Sequence, residues 1–323
     1  MKTILVIHTG GTISMKENKE TGEVNTGDQH PLEEITSFLS GSTKIEDEIL
    51  FYLPSPHIRP DHMLKLGQFI HEKLAAQHYD GIVVTHGTDT LEETAYFLDL
   101  FLQTRKPVIV TGAMRSSNEI GSDGLYNLLS AIKVASCDEA QDKGVLVVMN
   151  DEIHTSRNVT KTSTSNVATF QSPQYGPIGI TTKNEVFFHH KSTSHDSYPI
   201  QQLTKKVVLI KAYAGMDGSI IEAARKSGAD GMVIEALGQG NLPPETIPSI
   251  KETIQKGLPV VLVSRCYQGI VQDTYSYEGG GRRLREMGVI FANGLTGPKA
   301  RIKLMVALEM TNNPLELNPM FGY

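Results

Sequence analysis

The chain has 323 residues, of which 39% are hydrophobic and 20% charged, a composition typical of a globular protein with a sizeable core. Its formal net charge of -6, without any basic run, argues against a nucleic-acid partner. No apolar stretch reaches the roughly 18–20 residues that a membrane-spanning helix needs, so we expect no membrane association.

The chain begins directly with an apolar run at residues 4–7 (ILVI), without a signal-peptide pattern. Its two cysteines, Cys137 and Cys266, lie far apart and fit no metal or redox spacing, so we interpret them as buried, unreactive thiols. These features together predict a cytoplasmic protein.

Short apolar runs then alternate with helical patterns. The runs predicted as strands cover residues 4–7, 49–53, 81–84, 108–110 and 145–149. Pro60 opens the first predicted helix at the tolerated first-turn position, and the inward stripe of this helix is Met63, Leu66, Ile70 and Leu74. Such alternation predicts a parallel sheet with right-handed crossovers.

Two more helices are predicted before residue 140. Residues 90–93 (TLEE) resemble a capping box that begins at Thr90, and the inward side chains of the helix that follows are Leu91, Ala95, Leu98 and Leu102. The stripe of the next helix is Leu125, Leu128, Leu129, Ile132 and Ala135.

The alternation stops at about residues 186–206, where the polar segment 189–195 (HHKSTSH) is interpreted as a linker rather than a zinc site. It resumes with strands predicted at 207–210, 232–234 and 260–263 and helices near 218–227, 244–256 and 298–310. Length alone leaves one large α/β domain possible. The pattern favours two α/β domains: a larger N-terminal domain (1–200) with a mostly parallel, helix-flanked sheet, and a smaller C-terminal parallel-sheet domain (207–323).

Polar residues cluster where the predicted strands end, the edge at which ligands bind in open α/β sheets. Five strands are followed in turn by residues 9–13 (TGGTI), Ser55, 86–90 (HGTDT), 111–115 (TGAMR) and 150–151 (ND), and the last leads towards Lys161. Each could be an ordinary turn or capping residue, but five strand ends together favour a shared site. A hydroxyl nucleophile needs a base and an oxyanion site, which two threonine turns and a lysine could supply.

In these residues the chain resembles the bacterial-type L-asparaginases over essentially its whole length. The resemblance rests on residues 9–13, 86–90, 111–115 with 122–124 (SDG), 145–151 with 159–162, and 238–241 (GQGN). It implies hydrolysis of the side-chain amide of L-asparagine to L-aspartate and ammonia, without a cofactor.

The resemblance also implies catalytic roles. Thr12 would be the nucleophile that forms an acyl-enzyme. Thr88, Asp89 and Lys161 would form a second group, in which Lys161 acts as base through Thr88 and Asp89 orients the lysine. Whether this group activates Thr12 or only the hydrolytic water stays open. The backbone N–H groups of Gly11 and Thr88 are candidate oxyanion donors.

Further implied roles concern binding and assembly. Ser55 and Asp89, beside Gly87, would hold the substrate's α-carboxylate and α-amino groups, and the Ala113 carbonyl would accept from the leaving amide. Family members form intimate dimers, often paired into tetramers, in which a C-terminal residue completes the neighbour's site. Asn241 is the best candidate for that residue, and Tyr275 and Glu278 are weaker ones.

One departure concerns the loop after the first motif, where the family usually has a tyrosine beside the nucleophile. Residues 14–31 contain none, so another residue takes that role or the nucleophile is activated differently. The polar segment 16–22 (KENKETG) is predicted to be a flexible lid.

Three other functions remain open at this point: a glutaminase-asparaginase of broader specificity, an amidotransferase subunit, and a non-catalytic amino-acid sensor of the same fold. A start directly at the first strand argues against the amidotransferase, which carries an extra N-terminal domain. The presence of Thr12, Thr88, Asp89 and Lys161 argues against the sensor.

Overall fold

The computed structural model describes residues 1–17, 21, 24–26, 43–190 and 196–322, and the chain divides into two compact units, Met1–Ser197 and Tyr198–Tyr323. The strands of the first unit are β1 (Lys2–His8), β2 (Met15–Glu17), β3 (Val24–Thr26), β4 (Thr43–Ile49), β5 (Gly81–Thr85), β6 (Val108–Thr111), β7 (Val145–Met149), β8 (Glu152–Thr155), β9 (Thr160–Lys161), β10 (Phe170–Gln171), β11 (Gly179–Thr181) and β12 (Val186–Phe188). Its α-helices in the described ranges are α1 (Pro60–Ala75), α2 (Leu91–Phe101) and α3 (Gly124–Ala135).

The main sheet of the first unit has the strand order β12-β11-β8-β7-β6-β5-β1-β4. β4, β1, β5, β6 and β7 are parallel, whereas β8, β11 and β12 are added by antiparallel pairing. Every residue of β5, β6 and β7 is buried, as expected for parallel strands that are covered on both faces. The carboxyl ends of β1, β5 and β6 therefore lie side by side along one edge.

The core of this unit packs α3 against one face of the sheet. Val83 and Ile109 from neighbouring strands share a fully buried cluster with Leu128 and Ile132 of α3. Burial of a side chain of this size contributes about 1.5–3 kcal/mol. This packing fixes where α3 begins, close to the strand ends.

The second unit has a four-stranded parallel sheet in the order β13-β14-β15-β16. Its strands are β13 (Val207–Lys211), β14 (Gly231–Ala236), β15 (Val260–Ser264) and β16 (Ile290–Phe291), and its helices are α4 (Ser219–Lys226), α5 (Ile247–Gln255), α6 (Gly281–Glu286), α7 (Gly297–Met310) and α8 (Pro314–Met320). The predicted α/β class is confirmed: a larger, mostly parallel sheet and a smaller parallel one. In the described ranges, no helix is long and apolar enough to cross a bilayer.

The helix predictions are largely confirmed, although the capping-box prediction at Thr90 is wrong because this residue makes no side-chain capping bond. All four predicted inward residues of α1 and all four of α2 with its C-cap are buried. Leu125 is a second error, since it is exposed in the first turn of α3. The cysteines are a third, because Cys137 is half-buried after α3 and Cys266 is exposed in the loop after β15.

One strand prediction and one linker prediction are also corrected, and one turn reverses the chain direction. The strand predicted at 49–53 is wrong: β4 ends at Ile49, and four of the seven residues of this edge strand are charged, so it has no apolar run. The linker predicted at 186–206 begins with β12, which pairs with β11. Of the histidine-rich segment, 191–195 lies outside the described residues. Finally, Asn150 and Asp151 adopt positive φ angles of 49° and 65° and form a tight turn that returns the chain antiparallel as β8.

Candidate active site

The turns after β1 and β5 are in direct backbone contact. Gly11 has a φ of +87°, and a Cβ added to it would overlap the Gly87 backbone. Gly10 has a φ of +105°, and a Cβ there would overlap the Leu53 backbone. Only glycine adopts these angles readily and permits so close an approach. Thr12 directly follows Gly11 and Thr88 directly follows Gly87, so the contact places the two threonines at neighbouring positions on this edge.

Lys161 lies between two of the predicted catalytic side chains. Its Nζ donates to Thr88 Oγ1 at 3.0 Å and to Asp89 Oδ1 at 2.8 Å. Thr88 is buried, whereas Asp89 is 57% exposed and Lys161 17% exposed in their side chains. The structure thus brings these three residues together, and the contacts are short enough for proton transfer between Lys161 and Thr88.

Ser55 holds the second turn in place. It lies in a short 3-10 turn, is 5% exposed, and its Oγ accepts a hydrogen bond from the Asp89 N–H at 3.1 Å. Its carbonyl accepts from Thr90 Oγ1 at 2.8 Å, which explains why Thr90 does not cap α2. Gly87 packs on the same side chain, since an added Cβ would lie 2.7 Å from Ser55 Cβ.

The Ala113 loop is anchored by the first turn of α3. Ala113 is buried, and the Asp123 carboxylate accepts from the backbone N–H groups of Met114 and Arg115 at 3.0–3.1 Å. Asn127 donates to the Gly112 carbonyl at 3.1 Å. These bonds fix the direction of the backbone around Ala113.

His86 supports the second turn from within the core. Its Nδ1 lies 2.8 Å from the Gly87 carbonyl and its Nε2 lies 2.9 Å from Thr94 Oγ1. Because a carbonyl can only accept, Nδ1 carries the proton and Nε2 accepts from the Thr94 hydroxyl. Burial lowers the pKa of His86 to about 4, and the bond to the Gly87 carbonyl opposes that effect, so the imidazole is neutral at pH 7.

Comparison with known proteins supports the resemblance. A family model of the asparaginase N-terminal domain matches residues 3–194, and one of the glutaminase/asparaginase C-terminal domain matches residues 206–321. The chain belongs to the asparaginase family.

Individual asparaginase-family relatives match over nearly the whole chain. A probable L-asparaginase of Deinococcus radiodurans is 40% identical over 322 residues, covering 98% of this chain and 96% of the relative. An L-asparaginase of Bacillus licheniformis is 36% identical over 309 residues, covering 95% of each. The crystal structure of a probable cytoplasmic L-asparaginase from Campylobacter jejuni aligns with a TM-score of 0.87 at 33% identity and covers 99% of each chain.

The remaining predicted site residues belong to the second unit. Asn241 belongs to the second unit, where its backbone pairs with Leu237 in the turn after β14. Its Oδ1 is buried and has no hydrogen-bond partner in the part of the chain that the structure describes. Tyr275 and Glu278 are exposed in a loop of the same unit.

The predicted lid is covered only in part. Residues 15–17 and 24–26 form the antiparallel pair β2–β3, while residues 18–20 and 22–23 lie outside the described residues. The lid therefore stays a prediction. Across the described ranges, no group of three or more histidine, cysteine or acidic side chains is arranged to hold a metal ion.

Sequence reasoning missed the residues that support the site. His86 and Asp123 lie inside the motifs, and Asn127 and Thr94 lie outside them; the motifs give none of the four a role. A usable signal was available for Asn127 and Thr94, because both are polar residues at buried positions of apolar helices. A buried polar side chain needs a hydrogen-bond partner, and here the partners are strand-end loops.

Proposed function

We propose that this chain is an L-asparagine amidohydrolase that produces L-aspartate and ammonia. The observation that carries the proposal is the Lys161 Nζ bonded to both Thr88 and Asp89, at the edge where the Thr12 turn also lies. Membership of the asparaginase family, together with relatives named L-asparaginase, supports the same reaction.

The proposed chemistry has two steps with Thr12 as the nucleophile. Thr12 Oγ1 attacks the side-chain amide carbon, its proton passes to the leaving nitrogen, and the C–N bond breaks to release ammonia and leave a β-aspartyl ester. Water then attacks the ester carbonyl and restores the Thr12 hydroxyl. Backbone N–H groups of Gly11 and Thr88 stabilise the oxyanion in each step.

The Lys161 group supplies the base in this scheme. Whether the attacking hydroxyl is that of Thr12 or that of water, Lys161 Nζ takes its proton through the Thr88 hydroxyl and returns it to the leaving ammonia or to the Thr12 oxygen. The Asp89 carboxylate stabilises the ammonium that forms between these two transfers. The 3.0 Å contact between Lys161 Nζ and Thr88 Oγ1 supports this route.

Substrate selection follows from the loops around the group. Ser55 and Asp89, beside Gly87, bind the α-carboxylate and α-amino groups, and the Ala113 carbonyl accepts from the substrate amide. The bonds from Asp123 to this loop support a fixed carbonyl direction. Glutamine is longer by one methylene, a difference worth only ~1–3 kcal/mol in discrimination.

We also propose a cytoplasmic homo-oligomer, either a dimer or a dimer of dimers, in which Asn241 completes a neighbouring site. Asn241 Oδ1 is buried and has no hydrogen-bond partner among the described residues, so it could accept a hydrogen bond from a neighbouring copy of the chain. The name of the Campylobacter jejuni relative supports the compartment. Light scattering after gel filtration measures the oligomeric state, and a monomer with full activity would contradict the shared site.

The test of the function is ammonia release from L-asparagine and from L-glutamine, each titrated with wild type and with Thr12→Val. We expect release from asparagine by the wild type and near-complete loss in Thr12→Val, because a methyl group replaces the nucleophilic hydroxyl without a change in size. Unchanged activity in Thr12→Val would remove its role. If the wild type released no ammonia while aspartate raised its Tm, a sensor would be the better function.

A further inference from the structure

Lys161 lies on a strand that is separate from the main sheet. β9 consists of Thr160 and Lys161 and pairs antiparallel with β10, and within the described residues this two-residue ladder is a sheet of its own. So short a ladder is marginal by itself. The position of the Lys161 backbone must therefore depend on contacts with other elements.

One such contact comes from Glu92 in the first turn of α2. Its Oε1 accepts from the Thr160 hydroxyl at 3.2 Å and lies 3.5 Å from the Lys161 backbone nitrogen. Thr160 is buried and Glu92 half-buried, so these bonds are shielded from water. A carboxylate in the first turn is also favoured by the helix dipole.

The same end of α2 therefore contacts Lys161 twice. Thr88 and Asp89, just before the helix, bind the ammonium, and Glu92, just inside it, contacts the strand that carries the lysine. We propose that Glu92 is a positioning residue for Lys161, setting the distance from its Nζ to Thr88 Oγ1. This inference rests on the proposed function, in which Lys161 is the base.

The other strand of this two-stranded ribbon, β10, is held by contacts that do not involve Glu92. Ser172, next to β10, has its Oγ 2.9 Å from His154 Nδ1, and both residues are buried. Gln171 Nε2 also donates to Glu152 Oε2 at 3.4 Å. Removal of the Glu92 carboxylate should therefore displace β9 locally without releasing the whole ribbon.

The experiment compares Glu92→Ala and Glu92→Gln with Glu72→Ala, an exposed glutamate on α1, as the matched control. For each we measure Tm, kcat and KM for L-asparagine, and the pH profile of kcat. We expect Glu92→Ala to lower kcat by about ten- to a hundredfold, since a small misplacement of a reacting group has an effect of this size. Its KM should stay within about threefold, because the interaction acts mainly on the transition state.

The pH profile separates positioning from a merely structural role. In Glu92→Ala, the pH profile of kcat should differ from that of the wild type, because Lys161 Nζ no longer lies at the same distance from Thr88 Oγ1. Glu92→Gln should keep near-wild-type kcat and profile, since its amide oxygen accepts the same bonds. A wild-type kcat and profile in Glu92→Ala, or a glutamine variant as impaired as the alanine variant, would overturn the proposal.

Thr160→Val keeps the test decisive if Glu92→Ala does not fold. It removes the donor of the shorter bond, so kcat should fall, and wild-type kcat in this variant would overturn the proposal. Lys161→Met in the same series distinguishes failure of the proposed function from failure of the positioning role of Glu92. An inactive wild type contradicts the proposed function, and an active Lys161→Met contradicts the lysine's role. An active wild type, an inactive Lys161→Met and an unaffected Glu92→Ala contradict the positioning role alone.

Discussion

Acidification should destabilise this chain through His86. The pKa of the folded-state imidazole is about 4, against 6.5 for an exposed histidine, because the ring is buried. As the pH falls below 6.5, the unfolded chain takes up a proton that the folded chain does not, so the free energy of unfolding falls. Each pH unit across this interval lowers the free energy of unfolding by about 1.4 kcal/mol. About 3 kcal/mol of stability is therefore lost between pH 6.5 and pH 4, and above pH 6.5 this histidine causes no loss.

Urea denaturation of the wild type and His86→Gln, at several pH values between about 7.5 and about 4, measures this effect. Carboxylates also titrate in this range, and the difference between the two proteins cancels their contribution. We expect the wild type to lose about 3 kcal/mol more than the variant over the interval. Parallel curves would mean that His86 titrates normally or that the folded chain accommodates its charge, and either would refute the argument from burial.

Three further predictions concern the turns and the lysine. Gly11→Ala should lose most activity and have a lower Tm, because the residue has a φ of +87° and an added Cβ would overlap Gly87. A thermal melt and an ammonia assay measure both effects, and unchanged values would exclude a tight contact between the turns. Ser55→Ala should raise the KM for asparagine and cost about 0.5–1.5 kcal/mol of stability, since the Asp89 N–H loses its bond to Ser55 Oγ. Steady-state kinetics and denaturation measure both, and an unchanged KM would remove Ser55 from binding. Lys161→Met should abolish turnover while aspartate binding stays measurable by calorimetry, and full activity would show that the lysine is not the base.

The fold could be predicted where burial leaves a clear pattern. The run at residues 81–84 is apolar throughout because β5 is covered on both faces, and its position is confirmed. β4 at the edge carries charges, so an apolar run is no signal for this strand, and the run at 49–53 lies beyond its end. The adjacent pair Asn150 and Asp151 is a turn signal, and it would have indicated the antiparallel return into β8.

The site was predictable in part for a different reason. Parallel strands present their carboxyl ends at one edge of the sheet. The prediction of a parallel sheet was therefore enough to place the turns around Thr12 and Thr88 at the same edge. Lys161 and Thr88 are 73 residues apart, and no periodicity connects them. The residues alone indicated that a lysine could serve the two threonine turns, and the resemblance specified Thr88 as the partner of Lys161. Nothing in the sequence indicated the contact from Glu92.

The backbone contact between Gly11 and Gly87 has a consequence for how the two threonines work. Since no side chain separates the turns, neither can shift without displacing the other. Ser55 and His86 both hold the second turn, one through the Asp89 N–H and the other through the Gly87 carbonyl. A rigid second turn therefore also fixes the first, so the position of Thr12, the proposed nucleophile, depends on Ser55 and His86 as well. Catalysis by positioned groups requires such rigidity, because the reacting atoms must already be aligned when the substrate binds.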